Sequence, residues 1–312
     1  MEEKSLSDSN KKDKSVVIPA TPDLKRLGYG TGVGVFRLDR SPFNGNFSSP
    51  WAVKKKLHAQ SEWNTFFVDE RLSKEADILK SLDHPNIIGF RAMVQTPGGQ
   101  ECLAMEKCDT SLADIIEERG DEGPFSADII LKVAIEIAKA LDYIHNVAYL
   151  LHGDIKSSNI LIKENFNIIK LCDFGVCLPL NADGSFNKVK AGDKASYIGT
   201  ELWNAPEVCP GKNESIIITD KADIFSYGLT LWEMMSMTVP HMSDLNDTDS
   251  SFDEESFDEK LEQLIGTRPA IPENIQVDKT YVKVISLFMK CTEHDYIKRF
   301  SAKDILKFCV EN

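Results

Sequence analysis

The chain has 312 residues, 42% hydrophobic and 27% charged, which is ordinary for a globular protein and enough to bury a substantial core. Its net charge of −13 argues against binding nucleic acid through phosphate contacts, so no direct nucleic-acid partner is expected. No apolar run is long enough to span a bilayer, and the opening MEEKSLSDSNKKDKS lacks the apolar stretch of a secretory signal, so the expectation is a protein of the cytoplasm and/or nucleus without a membrane partner.

Residues 1–22 are polar, without hydrophobic periodicity, and read as a disordered tail. Leu24–Leu27, Val33–Leu38 and Trp51–Val53 read as strands separated by Gly-rich and Pro/Asn/Ser-rich turns. Phe66–Leu82 carries apolar residues at helical spacing and stops before the turn signal Asp83-His84-Pro85-Asn86. Two further strands are predicted near Ile87–Val94 and Glu101–Glu106. From residue 107 the pattern turns helical: Ala127–His145, Lys221–Met237, Tyr281–Cys291 and Ala302–Val310 each read as helices. The expected fold class is α+β, with a small β-rich lobe over about 23–106 that carries one helix and a larger, mainly helical lobe over about 107–312. Ser243–Lys260 holds eight acidic residues and reads as a solvated, mobile insertion, the alternative being a docking strip for a basic partner. The seven cysteines include no CxxC pair and read as reduced thiols.

Chemistry concentrates in a few short segments. In Leu27-Gly28-Tyr29-Gly30-Thr31-Gly32-Val33-Gly34-Val35, glycines between two strands let backbone N–H groups approach a phosphate; a plain hairpin is the bland alternative. Trp51-Ala52-Val53-Lys54 places a lysine on the strand beneath, where it can neutralise phosphate charge, and Glu75 on the following helix is its natural ion-pair partner. His152-Gly153-Asp154-Ile155-Lys156-Ser157-Ser158-Asn159 supplies a carboxylate, a cation and an amide oxygen within one loop. Moving a phosphoryl group to a hydroxyl requires that set. Leu171-Cys172-Asp173-Phe174-Gly175 follows with a second carboxylate. Ile198-Gly199-Thr200-Glu201-Leu202-Trp203-Asn204-Ala205-Pro206-Glu207, then Asp223-Ile224-Phe225-Ser226-Tyr227-Gly228 and Arg299, complete a collinear set.

In this order and spacing, the segments resemble the signature set of eukaryotic protein kinases, from about Asp23 to the C-terminus. L-G-Y-G-T-G-V, H-P-N-I, L-L-H-G-D-I-K-S-S-N, T-D-K-A-D-I-F, G-L-T-L-W-E-M-M and G-T-R-P are similar to those of the T-LAK cell-originated (PDZ-binding) kinases, a family itself similar to MAP kinase kinases and associated with mitosis. The resemblance implies a bilobal kinase fold and an enzyme that uses ATP and Mg²⁺ to phosphorylate Ser/Thr hydroxyls of protein substrates, with tyrosine left open and MAP kinases or histone as suggested substrates. It implies that Lys54 and Glu75 pair, that Asp154 is the catalytic carboxylate, that Lys156 contacts the γ-phosphate and that Asn159 and Asp173 hold the metal. By the same resemblance Leu27, Gly28, Gly30, Gly32 and Val35 belong to the nucleotide-binding loop. Met105 is the gatekeeper, Glu106–Cys108 the hinge, and Val35, Ala52 and Leu161 sandwich the adenine. Glu207 would pair with Arg299 in a structural role.

Two departures stand out. The third glycine of G-x-G-x-x-G falls on Val33, between Gly32 and Gly34, and Gly153 stands where the arginine of H-R-D is expected. These leave room for an alternative, a catalytically weak scaffold that binds partners through its acidic insertion. A small-molecule kinase is disfavoured by the Thr200–Glu207 segment. The terminal Phe308-Cys309-Val310-Glu311-Asn312 lacks an apolar last residue, so PDZ binding is not expected. Composition says nothing of the oligomeric state. Thr21-Pro22, Ser41-Pro42 and Ser49-Pro50 read as turns or proline-directed phosphosites; Ser185, Ser196 and Thr200 are candidate activating sites.

Overall fold

The computed structural model describes residues 24–30, 32–39, 49–57, 62–96, 98–193, 195–209, 216–242, 245, 254–272, 275 and 278–311. The expected tail, Thr21-Pro22, Ser41-Pro42 and residues 243, 244 and 246–253 of the acidic segment lie outside them. The chain divides into two compact units: the described residues up to Leu72 with Arg91–Glu106, and Ser73–Phe90 with the residues from Lys107 onward.

The first unit is built on strands β1 (Lys25–Gly30), β2 (Val33–Leu38) and β3 (Trp51–Lys56). Helix α1 (Glu62–Ser81) begins in this unit, and strands β4 (Phe90–Gln95) and β5 (Glu101–Glu106) follow. The sheet order is β1-β2-β3-β5-β4, with the pairs β1/β2, β2/β3 and β3/β5 antiparallel. Alternation sorts the side chains. Phe36, Leu38, Val53, Cys102 and Ala104 close a core with Leu24 on one face. Val35, Ala52, Lys54 and Met105 therefore share the opposite face. Lys55 is 2% exposed on the core side, and its ammonium lies 5.1 Å from the centre of the Phe36 ring, which compensates part of its desolvation.

In the second unit β6 (Thr110–Ser111) leads into α2 (Leu112–Arg119), then α3 (Ala127–Asn146) and β7 (Leu150–Leu151). Strands β8 (Ile160–Lys163), β9 (Ile168–Leu171) and β10 (Leu178–Pro179) precede α4 (Lys188–Ala191), α5 (Lys221–Ser236), α6 (Glu254–Leu264), α7 (Lys279–Cys291) and α8 (Ala302–Glu311). The core runs along α3 through Ile130, Val133, Ile137, Leu141 and Ile144. Helix α5 is buried from Ala222 to Met235, as expected of a helix apolar on nearly every side.

Two expectations shift. The strand expected from Ile87 begins at Phe90; Ile87 instead bridges Leu171, and the Lys170 ammonium donates to the carbonyls of Pro85 and Ile87. The acidic segment is not irregular throughout, because Glu254–Lys260 opens α6, where Phe257, Leu261 and Leu264 fall at i, i+4 and i+7.

The expected Glu207–Arg299 pair is present and deeply buried. Arg299 Nη1 donates to Glu207 Oε1 at 2.6 Å and Nη2 to Oε2 at 2.9 Å, with side-chain exposures of 0% and 5%. Removing one partner strands the other charge. Arg299→Ala should therefore destabilise the protein by about 3–5 kcal/mol, read as a lower denaturation midpoint. An unchanged midpoint would show that the pair adds nothing net.

Candidate active site

The residues singled out by sequence fall into two groups, one in each unit. In the first unit, Gly28 pairs with Val35 and Val35 with Lys54, and Lys54 pairs with Leu103 and Ala52 with Met105. Gly28, Val35 and Lys54 thus lie in one row across three strands, and Ala52 and Met105 in the row beside it. Ala52, Lys54 and Met105 are 7%, 8% and 6% exposed. Leu27 sits at the irregularity between Arg26 and Gly28 in β1. Gly30 ends β1 opposite Val33. Gly32 turns the hairpin with φ +78°, a conformation glycine adopts without strain. A Cβ added at Gly28 would meet nothing within 4 Å, so the bare backbone there faces open space. Glu106 ends β5 opposite Trp51.

In the second unit Glu75 is 2% exposed on α1. Its neighbour Lys74 donates to the Cys177 carbonyl at 2.8 Å, which ties the helix to the segment after Phe174. Cys108 is buried, and Leu161 pairs with Ser111 and Lys170 in the small sheet.

The loop from His152 to Asn159 carries the densest polar network. The Lys156 ammonium lies 2.8 Å from Asp154 Oδ2 and donates to Thr200 Oγ1 at 2.7 Å. Thr200 in turn donates to Asp154 Oδ1 at 2.5 Å. Asn159 Nδ2 donates to the Asp154 carbonyl at 2.7 Å and to its Oδ2 at 3.0 Å. Asp154 is thus held through both carboxylate oxygens by groups that leave it an acceptor, the state a proton acceptor needs. Thr200 lies well along the chain from Asp154, and sequence alone did not place the two together.

Asp173 is brought to the same loop through its backbone. The Cys172 N–H donates to the Asn159 carbonyl at 3.0 Å, and His152 Nε2 bonds the Cys172 carbonyl at 2.9 Å. The other imidazole nitrogen, Nδ1, accepts from the Asp154 N–H. With Nδ1 an acceptor, Nε2 is the ring nitrogen that donates to the Cys172 carbonyl. Phe174 is fully buried and meets the His152 ring edge-on, 4.9 Å between centres.

The loop itself hangs from one carboxylate on α5. Asp223 Oδ2 accepts the His152 N–H and Oδ1 the Gly153 N–H, each at 2.8 Å, and His145 Nε2 lies 2.8 Å from Oδ2. Gly153 has φ +79°, which explains why glycine is favourable there whatever the arginine it replaces would have contacted.

Metal-binding donors can be judged by their chemistry. Asn159 uses its amide nitrogen on Asp154, which leaves its side-chain carbonyl oxygen as an acceptor, and the backbone bond from Cys172 to Asn159 brings the stretch that carries Asp173 to the same loop. Among the described residues no three His, Cys, Asp or Glu side chains gather into a cage. One carboxylate and one amide oxygen suit magnesium when substrate phosphates complete its shell.

A family model described as a protein kinase domain matches residues 23–309. The human lymphokine-activated killer T-cell-originated protein kinase is 46% identical over 318 residues, covering 97% of this chain and 96% of that protein. The Caenorhabditis elegans mitogen-activated protein kinase kinase kinase zak-1 is 31% identical over 77% of this chain and 30% of its own length. The Arabidopsis thaliana serine/threonine-protein kinase STY46 is 28% identical over 77% of this chain and 36% of its own.

If conformation rather than space makes residue 153 glycine, Gly153→Ala and Gly153→Arg should cost the same, about 1–2 kcal/mol in chemical denaturation. A Cβ there meets only Val176 at ordinary contact distance, 3.5 Å from its carbonyl oxygen. A much larger loss for arginine would shift the cause to packing.

Proposed function

The chain belongs to the protein kinase family, and from that premise we propose that it transfers the γ-phosphate of ATP to serine or threonine hydroxyls of other proteins, with Asp154 as the catalytic carboxylate. The observation that carries this reading is the closed Asp154–Lys156–Thr200 triangle. In it a hydroxyl already sits against Asp154 Oδ1 with a lysine ammonium alongside. An incoming substrate hydroxyl needs the same two contacts.

In the proposed reaction Asp154 orients the hydroxyl and receives its proton. The hydroxyl oxygen bonds to the γ-phosphorus, the bond to the bridging oxygen breaks, and ADP leaves. Lys156 and Lys54 would neutralise phosphate charge, and the resemblance gives Glu75 the role of ion-pair partner to Lys54. Asn159 and Asp173 are the residues that would hold magnesium, which when bound supplies charge neutralisation on the phosphates. Leu27, Gly28, Gly30, Gly32, Val35, Ala52, Met105, Glu106, Cys108 and Leu161 would receive the nucleotide. Rate enhancement on this reading comes from positioning and electrostatics, with little covalent chemistry asked of the protein.

Lys156 and Thr200 favour serine and threonine over tyrosine as acceptors. The likeness of the motifs to the T-LAK cell-originated kinases extends the proposal to a MAP kinase kinase-like, mitotic or signalling role. Under it, MAP kinases or histones are the substrates, in the cytoplasm and/or nucleus.

The test is to incubate the protein with Mg·ATP and a basic protein substrate, beside Asp154→Ala, and to map the phosphate by mass spectrometry. Wild type should label serine or threonine, and the variant should lose at least about 10²-fold in rate. Equal rates would overturn the assignment of Asp154. Tight ATP binding without turnover in the wild type would favour a scaffold.

A further inference from the structure

The first unit holds a cavity of about 740 Å³, the size of a small-ligand pocket, and no step of the proposed reaction uses it. It lies between Lys56 and Leu57 at the end of β3, Asp69 on α1, and the turn from β4 into β5 that runs to Glu101. All of its described lining belongs to that one unit.

The polar groups around the cavity are held by contacts that leave their acceptors unspent. The Lys56 ammonium donates to Asp69 Oδ2 at 2.6 Å, which orients that carboxylate and leaves Oδ1 over. Gln100 Nε2 donates to the Lys56 carbonyl at 2.6 Å. A carbonyl only accepts, so the amide nitrogen faces it and Oε1 is the other end. The turn is itself closed. The Thr96 N–H donates to the Gln100 carbonyl and the Gly99 N–H to the Thr96 carbonyl, each at 2.9 Å, and the Gln100 N–H donates to Thr96 Oγ1 at 3.2 Å. Glu101 is exposed. Among the described residues, no donor meets Asp69 Oδ1, Gln100 Oε1 or the Glu101 carboxylate. A Cβ added at Gly99 would meet nothing within 4 Å, and one at Gly98 only Thr96 Oγ1 at 3.8 Å, so the tip of the turn stands clear.

We propose that this cavity is a docking site for an arginine side chain of a basic partner polypeptide. Apart from Lys56 and the Thr96 hydroxyl, its unspent side-chain groups are acceptors. With Lys56 set against Asp69, Glu101 leaves the lining net negative. A guanidinium stays charged and presents five N–H donors in a fixed plane, so it can meet separated acceptors at once; an ammonium gathers its donors on one atom. Leu57 supplies an apolar wall for the aliphatic stem. Asp69 and Gln100 are pinned before any ligand arrives, so little ordering is left to be lost on binding. The chain's own residues 1–23 offer four lysines and no arginine, which points to a separate partner.

The experiment follows the backbone amides of Gly98 and Gly99 by two-dimensional NMR as acetyl-Leu-Arg-Leu-amide is added to the isotope-labelled full chain. The same peptide with lysine or citrulline in the middle is run beside it. The arginine peptide should shift both glycine signals. Citrulline keeps the shape but loses the charge, and should bind about tenfold more weakly. Lysine keeps the charge but loses the fork, and should bind more weakly on the order of threefold. Glu101→Gln, at an exposed position, should weaken the arginine peptide about fivefold and leave the denaturation midpoint where it was. Glycine signals that do not move, or arginine binding that Glu101→Gln leaves intact, would overturn the inference. Equal binding of lysine and arginine would also overturn it and give the site to the lysine-bearing residues 1–23. If Glu101→Gln does not fold, the citrulline comparison in the unaltered chain decides alone, equal affinity counting against an arginine site.

Discussion

The loop that holds Asp154, Lys156 and Asn159 has almost no regular structure of its own, only a single 3₁₀ turn at Ser157–Asn159. Its shape depends on the Asp223 carboxylate, 1% exposed, which receives the first two N–H groups of the loop. A charge so deep is tolerated only where its lone pairs are met. Asp223 meets that condition with the two backbone donors and the His145 ring. From there the constraint propagates by hydrogen bonds: the His152 ring reaches both the Asp154 N–H and the Cys172 carbonyl, and Cys172 reaches Asn159. Asp173 therefore shares one scaffold with Asp154 and Asn159 although it comes from a separate stretch of chain.

Helix α5 supplies that scaffold as a stripe rather than a point. Asp223, Ser226, Thr230 and Glu233 fall at i, i+3, i+7 and i+10, one face of a helix, in an element otherwise packed with Ile224, Phe225, Leu229, Leu231, Met234 and Met235. Asp223 and Glu233 hold the loop at its two ends, Ser226 and Glu233 hold Trp203, and Thr230 returns its hydroxyl to the Ser226 carbonyl. The apolar majority buries the helix and keeps water out. The polar stripe then acts where a hydrogen bond has no competitor, so that each member fixes a distance.

Much of this was legible in the sequence because the chemistry requires fixed residue types at short range. The Asp154–Asn159 spacing, Asp173 before a phenylalanine and glycine, and the long apolar-periodic helices are local signals. What escaped was of two kinds. Helix α2 is short, yet its capping box was in plain view: Ser111 accepts the Asp114 N–H and the Asp114 side chain accepts back, the S-x-x-D pattern that opens a helix. Helix α6 was hidden by its charge, since Phe257, Leu261 and Leu264 had to be seen through a run of acidic neighbours. The pairing of Thr200 with Asp154, and of Glu233 with Ser157 and Trp203, carries no local signal. Those contacts join stretches tens of residues apart and arise from packing alone.

Two of the residues that take the left-handed backbone beside this network, Gly153 and Asp173, differ in what they must carry. Gly153 has φ +79° and Asp173 φ +64°. At 153 only the backbone is used, as a donor to Asp223, and glycine removes the steric cost of the conformation. At 173 the proposed function uses the side chain, which glycine would forfeit, and aspartate is among the few residues that tolerate this region. The conformation there is imposed from outside: the preceding Cys172 is tied by both its N–H and its carbonyl, and the following Phe174 is fully buried. The strain at Asp173 is thus sustained by the same hydrogen bonds that place it beside Asn159. Loosening the His152–Cys172 bond would release the backbone at Asp173 and its carboxylate together, so the interaction that orders this stretch also positions the side chain.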